Sequence, residues 1–272
     1  LAVVTLQAEP GIKNYFSSRA IIYGGPLISE DNHEATIVLL KEISEKFKKR
    51  AIYIESRNLF DYSNLNKVYA SLGWGYKKYL NFRVYCDSEE LVWSNLNRLR
   101  KREIKKAIAN NVIIKEADHI DEVKQLYDLL YKTYYYRIKK PIFNWEFFQL
   151  LFINKLCKVF LVKHEEKVVA GHFCPLNENV IYDWYGCGLD KEFKDLAPST
   201  MVVYSALRYG YLNGYKYFDF MGAGSPDKKY GVRQFKEQFR GELVEHGRFF
   251  KITKPALYFL GNKGLNIYRK TR

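Results

Sequence analysis

Two aspartates stand among aromatic rings in this 272-residue chain: Asp183 in Tyr182-Asp183-Trp184-Tyr185, and Asp219 in Phe218-Asp219-Phe220. A carboxylate in such surroundings is either paired with a cation or raised in pKa, and either state suits proton transfer. Asp183 and Asp219 are the acid–base candidates, with Tyr182 and Tyr185 as hydroxyls that could donate to an oxyanion. The structural alternative for each aspartate is a salt bridge with Arg100 or Arg233.

A second constellation follows Asp219 directly. An apolar strand runs into Met221-Gly222-Ala223-Gly224 and then into a loop and short helix carrying Lys228, Lys229, Tyr230, Arg233 and Lys236. Flexible backbone and positive charge at the end of a buried strand is where open sheets hold ligands. Lys229, Arg233 and Lys236 could reach phosphates or carboxylates, Arg233 by a bidentate fork. Gly222 and Tyr230 complete this substrate-binding set. The stretch is not a P-loop, because no Lys-Ser/Thr follows the glycines.

A third is the basic run Arg98, Arg100, Lys101, Arg102, Lys105 and Lys106, set against one acid, Glu103. On a helix, Trp93, Leu96, Leu99, Ile104, Ala107 and Ile108 form the apolar stripe and most of the cations lie opposite. Arg98, Lys101, Arg102, Lys105 and Lys106 are candidates for phosphate contact, the alternative being a solvated helix face. Arg100 projects on the apolar side, so it must pair with an acid or point into a site that holds one. No aromatic residues interleave with the charges there, which argues against base stacking on this helix.

Other chemistries are less well served. Cys86, Cys157, Cys174 and Cys187 are widely spaced and form no CxxC, so neither a disulfide framework nor a zinc site is expected, in keeping with reduced cytosolic thiols. His172 and Cys174 share one face of a strand, which reads as packing. His33, His119, His164 and His246 fall at caps or turns, and there is no GxSxG. The net charge of +14 implies an anionic partner: nucleic acid, phosphorylated substrate or acidic membrane surface. No apolar run is long enough to span a bilayer. The chain opens on Leu1 with no charged leader, and Leu1–Gln7 reads as a strand, so the N-terminus is expected to be a fragment edge.

The elements that must position these groups follow from periodicity and punctuation. The first segment reads as strands at Leu1–Gln7 and from Arg19, a turn at Glu9-Pro10-Gly11 and a helix capped by Asn32. A strand at Ala51–Ser56, a helix at Tyr62–Leu72 and a strand at Tyr79–Cys86 complete it. One long helix is expected over Asp87–Asn110. Beyond it come a strand at Val112–Lys115, helices at His119–Arg137 and Asn144–Leu156 split by Pro141, and a hairpin at Val159–Cys174. Then follow a strand at Val180–Cys187, a helix at Ser199–Asn213 capped by Ser199 or Thr200, and a strand at Tyr215–Phe220. A helix at Val232–Phe239, a strand at Glu242–Phe250 and a basic amphipathic tail from Pro255 end the chain. The second half thus runs β-α-α-β-β-β-α-β-α-β, and the first segment matches its last six elements. The implied organisation is an α+β chain of two like units, the first N-terminally incomplete, spanning 1–86 and 87–254, with a tail over 255–272.

That order is the one expected of the GNAT acyltransferase fold, and the motifs resemble the FemAB family of peptidoglycan cross-bridge peptidyltransferases. The resemblance rests on Arg100-Lys101-Arg102-Glu103-Ile104-Lys105-Lys106-Ala107 with Asn111-Val112, on Leu196-Ala197-Pro198, on Phe218-Asp219-Phe220-Met221-Gly222, and on Tyr230-Gly231-Val232-Arg233-Gln234-Phe235-Lys236 with Phe239-Arg240-Gly241-Glu242-Leu243. It covers about Asp87–Arg248 firmly. The long helical arm of some members is absent. The resemblance implies an enzyme that moves an amino acid from an aminoacyl-tRNA ester to an amine of a lipid-linked or nucleotide-linked muropeptide. No cofactor is implied beyond the tRNA co-substrate. It further implies a cytoplasmic protein, with peripheral contact to the anionic inner membrane face as an added expectation.

Two rival readings remain open. One is a GNAT N-acyltransferase using acyl-CoA or acyl-carrier protein on a small amine or sugar. The other is an inactive GNAT scaffold that binds RNA or an anionic polymer. An acyl-CoA enzyme cradles pyrophosphate on backbone N–H groups of a Gly-rich loop at a helix start. Here the equivalent Lys191–Thr200 contains no glycine, and Pro198 removes a donor.

Overall fold

The computed structural model describes residues 1–8, 11, 13–29, 32–139 and 142–270. Glu9 and Pro10 of the expected first turn, Pro141 of the expected helix break, and Thr271 and Arg272 of the tail lie outside the described residues. In chain order the elements are β1 (Val4–Gln7), α1 (Lys13–Ser17), β2 (Arg19–Gly24), α2 (His33–Phe47), β3 (Tyr53–Asn58), α3 (Asn66–Ser71), β4 (Gly75–Lys77) and β5 (Leu80–Tyr85). They continue as α4 (Glu89–Asn95), α5 (Arg98–Ala109), β6 (Ile113–Glu116), α6 (Ile120–Lys132), a π-helical turn over Thr133–Ile138, α7 (Trp145–Ile153), β7 (Cys157–His164), β8 (Lys167–Asn177), β9 (Val180–Tyr182) and β10 (Tyr185–Gly188). Last come α8 (Pro198–Leu212), β11 (Tyr217–Asp219), α9 (Gly231–Glu237), β12 (Glu242–Glu245), β13 (Arg248–Ile252) and α10 (Pro255–Lys270).

These elements fall into two compact units, one of residues 1–80, 225–228 and 245–272, the other of 81–224 and 229–244. The first holds a five-stranded sheet in the order β1-β2-β3-β13-β4. β2 and β3 are parallel and joined through α2, whose N-terminus is closed by Asn32 Oδ1 accepting from Ala35 N–H at 2.9 Å. Ile22, Leu40, Phe47, Ile54 and Trp74 pack its core, and Phe249 of β13 stacks on Tyr69 of α3 with ring centroids 3.6 Å apart.

The second unit is built on the order β12-β5-β11-β9-β8-β7-β6, with β10 also paired to β8. Its elements run β6-α6-α7-β7-β8-β9/β10-α8-β11-α9-β12, the expected α+β GNAT order. Helices α6 and α7 lay Val123, Leu126, Leu130 and Phe148 onto Val159, Leu161 and Phe173 of the sheet. Helix α8 is buried on nearly every face from Thr200 to Leu207, so its apolar residues follow no single stripe.

Several of these expectations need correction, among them the single strand over Val180–Cys187, which is β9 and β10. The single helix over Asp87–Asn110 is two helices. Leu96 adopts an extended backbone, and Asn97 Oδ1 starts α5 afresh by accepting from Arg100 N–H at 2.8 Å. The single strand over Glu242–Phe250 is also two, broken at Gly247, whose φ of 60° lies in the left-handed region. β12 belongs to the second unit's sheet and β13 to the first. β5 in turn leaves the first segment and pairs antiparallel with β11. Finally, the helix expected to run to Arg137 changes to a π turn after Lys132.

Gly241 marks how closely β12 and β5 approach. A Cβ placed there would lie 2.5 Å from the Arg83 carbonyl oxygen and 2.8 Å from its carbon, backbone atoms held in the sheet. Gly241→Ala is expected to cost about 1–3 kcal/mol through overpacking, read as a lower urea midpoint at unchanged m-value. An unchanged midpoint would show that the backbone yields.

Candidate active site

Strands β9 and β11 run parallel and pair from Tyr217↔Val180 to Asp219↔Tyr182. The last rung is the Asp183 N–H donating to the Asp219 carbonyl at 2.9 Å. Beyond it the two paths separate. β10 stays with β8, while the chain after β11 turns away through Met221 at φ 54° and Gly222 at φ 143°. The register against β8 slips by one residue between the pairs Leu176↔Ile181 and Phe173↔Tyr185, so Asp183 and Trp184 together face Cys174 as a bulge. Parallel strands that part at their carboxyl ends leave the crevice in which open sheets hold ligands.

Asp219 has no exposed surface. Its carboxylate accepts from Asn81 Nδ2 at 2.6 Å, Arg83 Nε at 3.2 Å and the Met221 N–H at 2.7 Å. Asn81 closes the arrangement by accepting from the Gly222 N–H at 2.7 Å. The antiparallel pairing of β5 with β11 sets Arg83 directly opposite Asp219, which is why its cation is Arg83 and neither Arg100 nor Arg233. Met221 holds a left-handed backbone without being glycine, a cost of order 1 kcal/mol that the two hydrogen bonds on either side offset.

Asp183 retains 12% of its side-chain surface. Its Oδ1 lies 3.0 Å from His172 Nδ1, off the line of a hydrogen bond. Burial alone would raise this carboxyl; the His172 imidazole and the Lys236 ammonium outweigh burial and hold it below its ordinary value. Lys236 directs its ammonium inward to the carbonyls of Phe220 and Gly222, each at 2.8 Å. Burial pushes its pKa down, against the opposing pull of Asp183 and Asp219. A desolvated cation and a desolvated anion therefore face one crevice. Gly186 admits the imidazole: a Cβ there would fall 2.1 Å from His172 Cδ2.

The remaining residues divide by place. Tyr182 is buried, and burial with the nearby Asp219 pushes its hydroxyl up to about 12. Tyr185 sits in an aromatic wall with Tyr134, Phe143, Phe148 and Trp184. Tyr230 packs its ring at 3.0 Å from where a Gly224 Cβ would stand. Arg233 Nε donates to the Ala223 carbonyl at 2.8 Å, fastening α9 to the glycine turn, and Lys229 is exposed. Arg100 is buried and donates to Glu103 and, at 2.6 Å, to Thr200 Oγ1, with its guanidinium 4.5 Å over the Phe235 ring. It thereby joins α5 to α8 and α9. On the outer face of α5, Arg98, Arg102, Lys105 and Lys106 are exposed. Lys106 pairs with Asp195 at 2.7 Å, and Lys101, half-buried, reaches the Ser94 carbonyl at 3.4 Å.

The start of α8, where a cradle for pyrophosphate would lie, is closed by the protein itself. The Ser199 N–H donates to Asp190 Oδ1 at 3.0 Å, and the Ser199 hydroxyl donates to the same carboxylate. Thr200 N–H and Met201 N–H both turn to the Ala197 carbonyl, at 2.9 and 3.0 Å. Pro198 has no N–H. Among the described residues, no three His, Cys, Asp or Glu side chains converge to hold a metal, and no helix is long and apolar enough to cross a membrane.

Sequence reasoning missed His172, Asn81, Arg83 and Asp190. The one legible signal was Gly186, two positions after Trp184, which leaves room for a ring on the neighbouring strand. Asn81 and Arg83 enter only through a strand pairing that joins residues far apart in the chain, 136 positions in the case of Arg83 and Asp219.

The family model described as an acetyltransferase (GNAT) domain matches residues 94–236. No curated protein matches the chain. Among solved structures, FemX is 16% identical with a TM-score of 0.69, over 95% of this chain and 86% of its own. The C-terminal domain of a putative lysylphosphatidylglycerol synthetase from Agrobacterium fabrum is 14% identical with a TM-score of 0.66, over 98% of this chain and 85% of its own. L-PGS from Bacillus licheniformis is 15% identical with a TM-score of 0.62, over 96% and 85%. At these identities the likeness is one of fold.

The depressed carboxyl of Asp183 has a measurable consequence. A carboxylate with a lowered folded pKa adds stability above its unfolded value of about 3.9 and loses it as pH falls through the folded value. Urea unfolding from pH 6 down to pH 3 should show the wild-type midpoint falling further than that of Asp183→Asn. Parallel falls would mean that Asp183 titrates alike in both states.

Proposed function

The chain belongs to the acetyltransferase (GNAT) domain family, and on that premise we propose that it is an aminoacyltransferase. It takes an amino acid from aminoacyl-tRNA and delivers it to an amine of a peptidoglycan precursor, a lipid-linked or nucleotide-linked muropeptide. The observation that carries this choice of donor is the closed start of α8. Coenzyme A would have to place its pyrophosphate against N–H groups already given to Asp190 and Ala197, beside the negative charge of Asp190. The motif resemblance to FemAB proteins and the basic face of α5 support the same donor.

Aminolysis of an activated ester needs alignment, a neutral amine and stabilisation of a tetrahedral oxyanion. In this reading the acceptor amine lies against the Asp183 carboxylate, which orients it and takes up the proton it loses on attack. The amine nitrogen forms the new bond to the ester carbonyl carbon. The Lys236 ammonium, fixed by two carbonyls, faces the oxygen that becomes negative. Collapse of the intermediate breaks the bond to the ribose oxygen, which leaves as a hydroxyl by taking the proton that Asp183 accepted, so the carboxylate is restored. Asp219, Asn81 and Arg83 hold the turn that carries Lys236's two acceptors.

Offered aminoacyl-tRNA and acyl-CoA separately, with a muropeptide acceptor, the enzyme should transfer from tRNA alone. Transfer from acyl-CoA alone would overturn the reading and favour the N-acyltransferase alternative. Lys236→Met should lower kcat by about 100- to 1,000-fold, the usual loss for one oxyanion donor, with the circular-dichroism spectrum preserved. Full activity would remove Lys236 from the chemistry.

A further inference from the structure

The end of α6 carries a second surface that the transfer chemistry leaves unused. From Lys132 to Lys139 the sequence is Lys-Thr-Tyr-Tyr-Tyr-Arg-Ile-Lys, and the backbone over Thr133–Ile138 is a π turn. A π turn widens the helix, exposes side chains that a regular α-helix would tuck against its own stem, and recurs at functional sites. Tyr131, Tyr135 and Tyr136 are 46%, 61% and 70% exposed, high for rings in a unit whose core already absorbs Tyr127, Phe148 and Phe173. Tyr131 and Tyr135 are stacked, with centroids 5.9 Å apart and planes 13° from parallel, and Tyr136 meets Tyr135 edge-on at 4.9 Å. Lys132, Arg137 and Lys139 flank the rings, all exposed.

The same turn reaches the crevice. Tyr134 faces inward, its ring centroid 5.7 Å from that of Tyr185, two residues along the strand from Asp183. A ligand lying along Tyr131, Tyr135 and Tyr136 would thus end beside the reacting groups. Exposed rings, two of them parallel, with cations beside them fit a polyanion that also has flat faces. Single-stranded nucleic acid has both; a helix lying on a bilayer would set Trp, Phe or Leu into the acyl boundary, where these rings instead carry hydroxyls, and a folded protein partner would leave the cations unexplained.

We infer that Tyr131, Tyr135 and Tyr136 form a stacking platform for the unpaired 3′ end of an RNA, with Lys132, Arg137 and Lys139 contacting its phosphates. This rests on the aminoacyl-tRNA reading for its biological occupant, and it deepens that reading. The ester-bearing end of a tRNA is a short unpaired strand, and the platform holds it while the terminal ribose enters the crevice past Tyr134. The basic face of α5 lacks aromatic residues and serves the phosphates of paired RNA at most.

The test measures binding of three RNA probes that carry no aminoacyl ester, and of phosphatidylglycerol vesicles: the RNAs are a tRNA minihelix, the same minihelix lacking its unpaired 3′ end, and a short single-stranded oligonucleotide. Wild type should bind the intact minihelix more tightly than the truncated one. Tyr135→Ala with Tyr136→Ala should remove most of that difference, at about 5- to 150-fold in Kd for each base stack removed. Tyr135→Phe with Tyr136→Phe should keep it, because the rings remain. Replacing Lys132, Arg137 and Lys139 with Gln should flatten the salt dependence by about 0.7 for each phosphate no longer neutralised.

Equal binding of intact and truncated minihelix by the wild type would overturn the platform, as would an alanine variant indistinguishable from wild type. So would a loss confined to anionic phosphatidylglycerol vesicles, which would make the patch a membrane contact. Donor transfer is assayed in parallel. A wild type that uses aminoacyl-tRNA while the alanine variant keeps its KM sinks the platform alone. A wild type that transfers nothing from tRNA sinks the functional reading, and the oligonucleotide binding still decides the platform.

Discussion

A carboxylate with no exposed surface must be compensated where it stands, and the compensation of Asp219 fixes both the end of β11 and the turn after it. Withdrawing a carboxylate from water costs several kcal/mol unless its lone pairs are filled. Asn81, Arg83 and the Met221 N–H fill them here. Two of those partners come from β5, so the crevice is specified only once β5 has paired with β11. Removing Arg83 would leave the buried charge without its paired cation, a loss of about 3–5 kcal/mol. The turn at Met221-Gly222 is the direct product of this pairing. Its carbonyl at Gly222, with that of Phe220, in turn fixes the Lys236 ammonium. Buried anion, strained turn and buried cation form one connected arrangement.

The connection of β5 and β13 has a consequence for folding. β5 lies in the second unit's sheet although it follows β4 of the first, and β13 lies between β3 and β4 although it follows β12 of the second. The second sheet is completed within the continuous stretch 80–245, whereas the first cannot be closed until β13 follows it. Phe249, which stacks on Tyr69 in the first core, arrives only after the whole second unit has been synthesised. Long-range pairing of this kind is slow to find, because loop closure must precede any gain from the contacts.

Element types and the GNAT order were legible because period and punctuation carry them. Two apolar runs between Val159 and Cys174, on either side of the His164-Glu165-Glu166 turn, mark the hairpin. Asn32 caps its helix as expected. The split at Leu96-Asn97 was not legible, because the apolar stripe runs through it and only the Asn97 side chain reveals the new start. The two-strand ending was hidden as well: strand-forming residues lie on both sides of Gly247 while the chain passes from one sheet to the other. At the site, Asp183 and Asp219 stood out as charges among rings, and Lys236 only as one of the cations that follow the glycine turn. His172 did not, since Gly-His-Phe-Cys reads as ordinary strand packing until Gly186 is seen opposite it. Arg100 was legible as a misfit on the apolar stripe, and its acid proves to be Glu103 on the same helix.

The start of α8 shows how one helix terminus can be turned from a ligand site into a closed end. The partial positive charge of a helix N-terminus attracts an anion whatever its source. In this chain the anion is Asp190, brought there because Gly188 lets the strand approach: a Cβ at Gly188 would stand 2.5 Å from Ser199 Oγ. With the dipole and the Ser199 N–H already satisfied, an external phosphate would have to displace a tethered carboxylate whose effective concentration is high. The terminus therefore stabilises the fold and offers little to a diphosphate. On the proposed aminoacyl-tRNA reading, recognition of the donor is spread over other surfaces, by cations such as those of α5 and by the rings of the π turn. Dispersed charge and stacking can hold a long polyanion where a single compact cradle cannot, because each contact is weak and their number grows with the length of the strand.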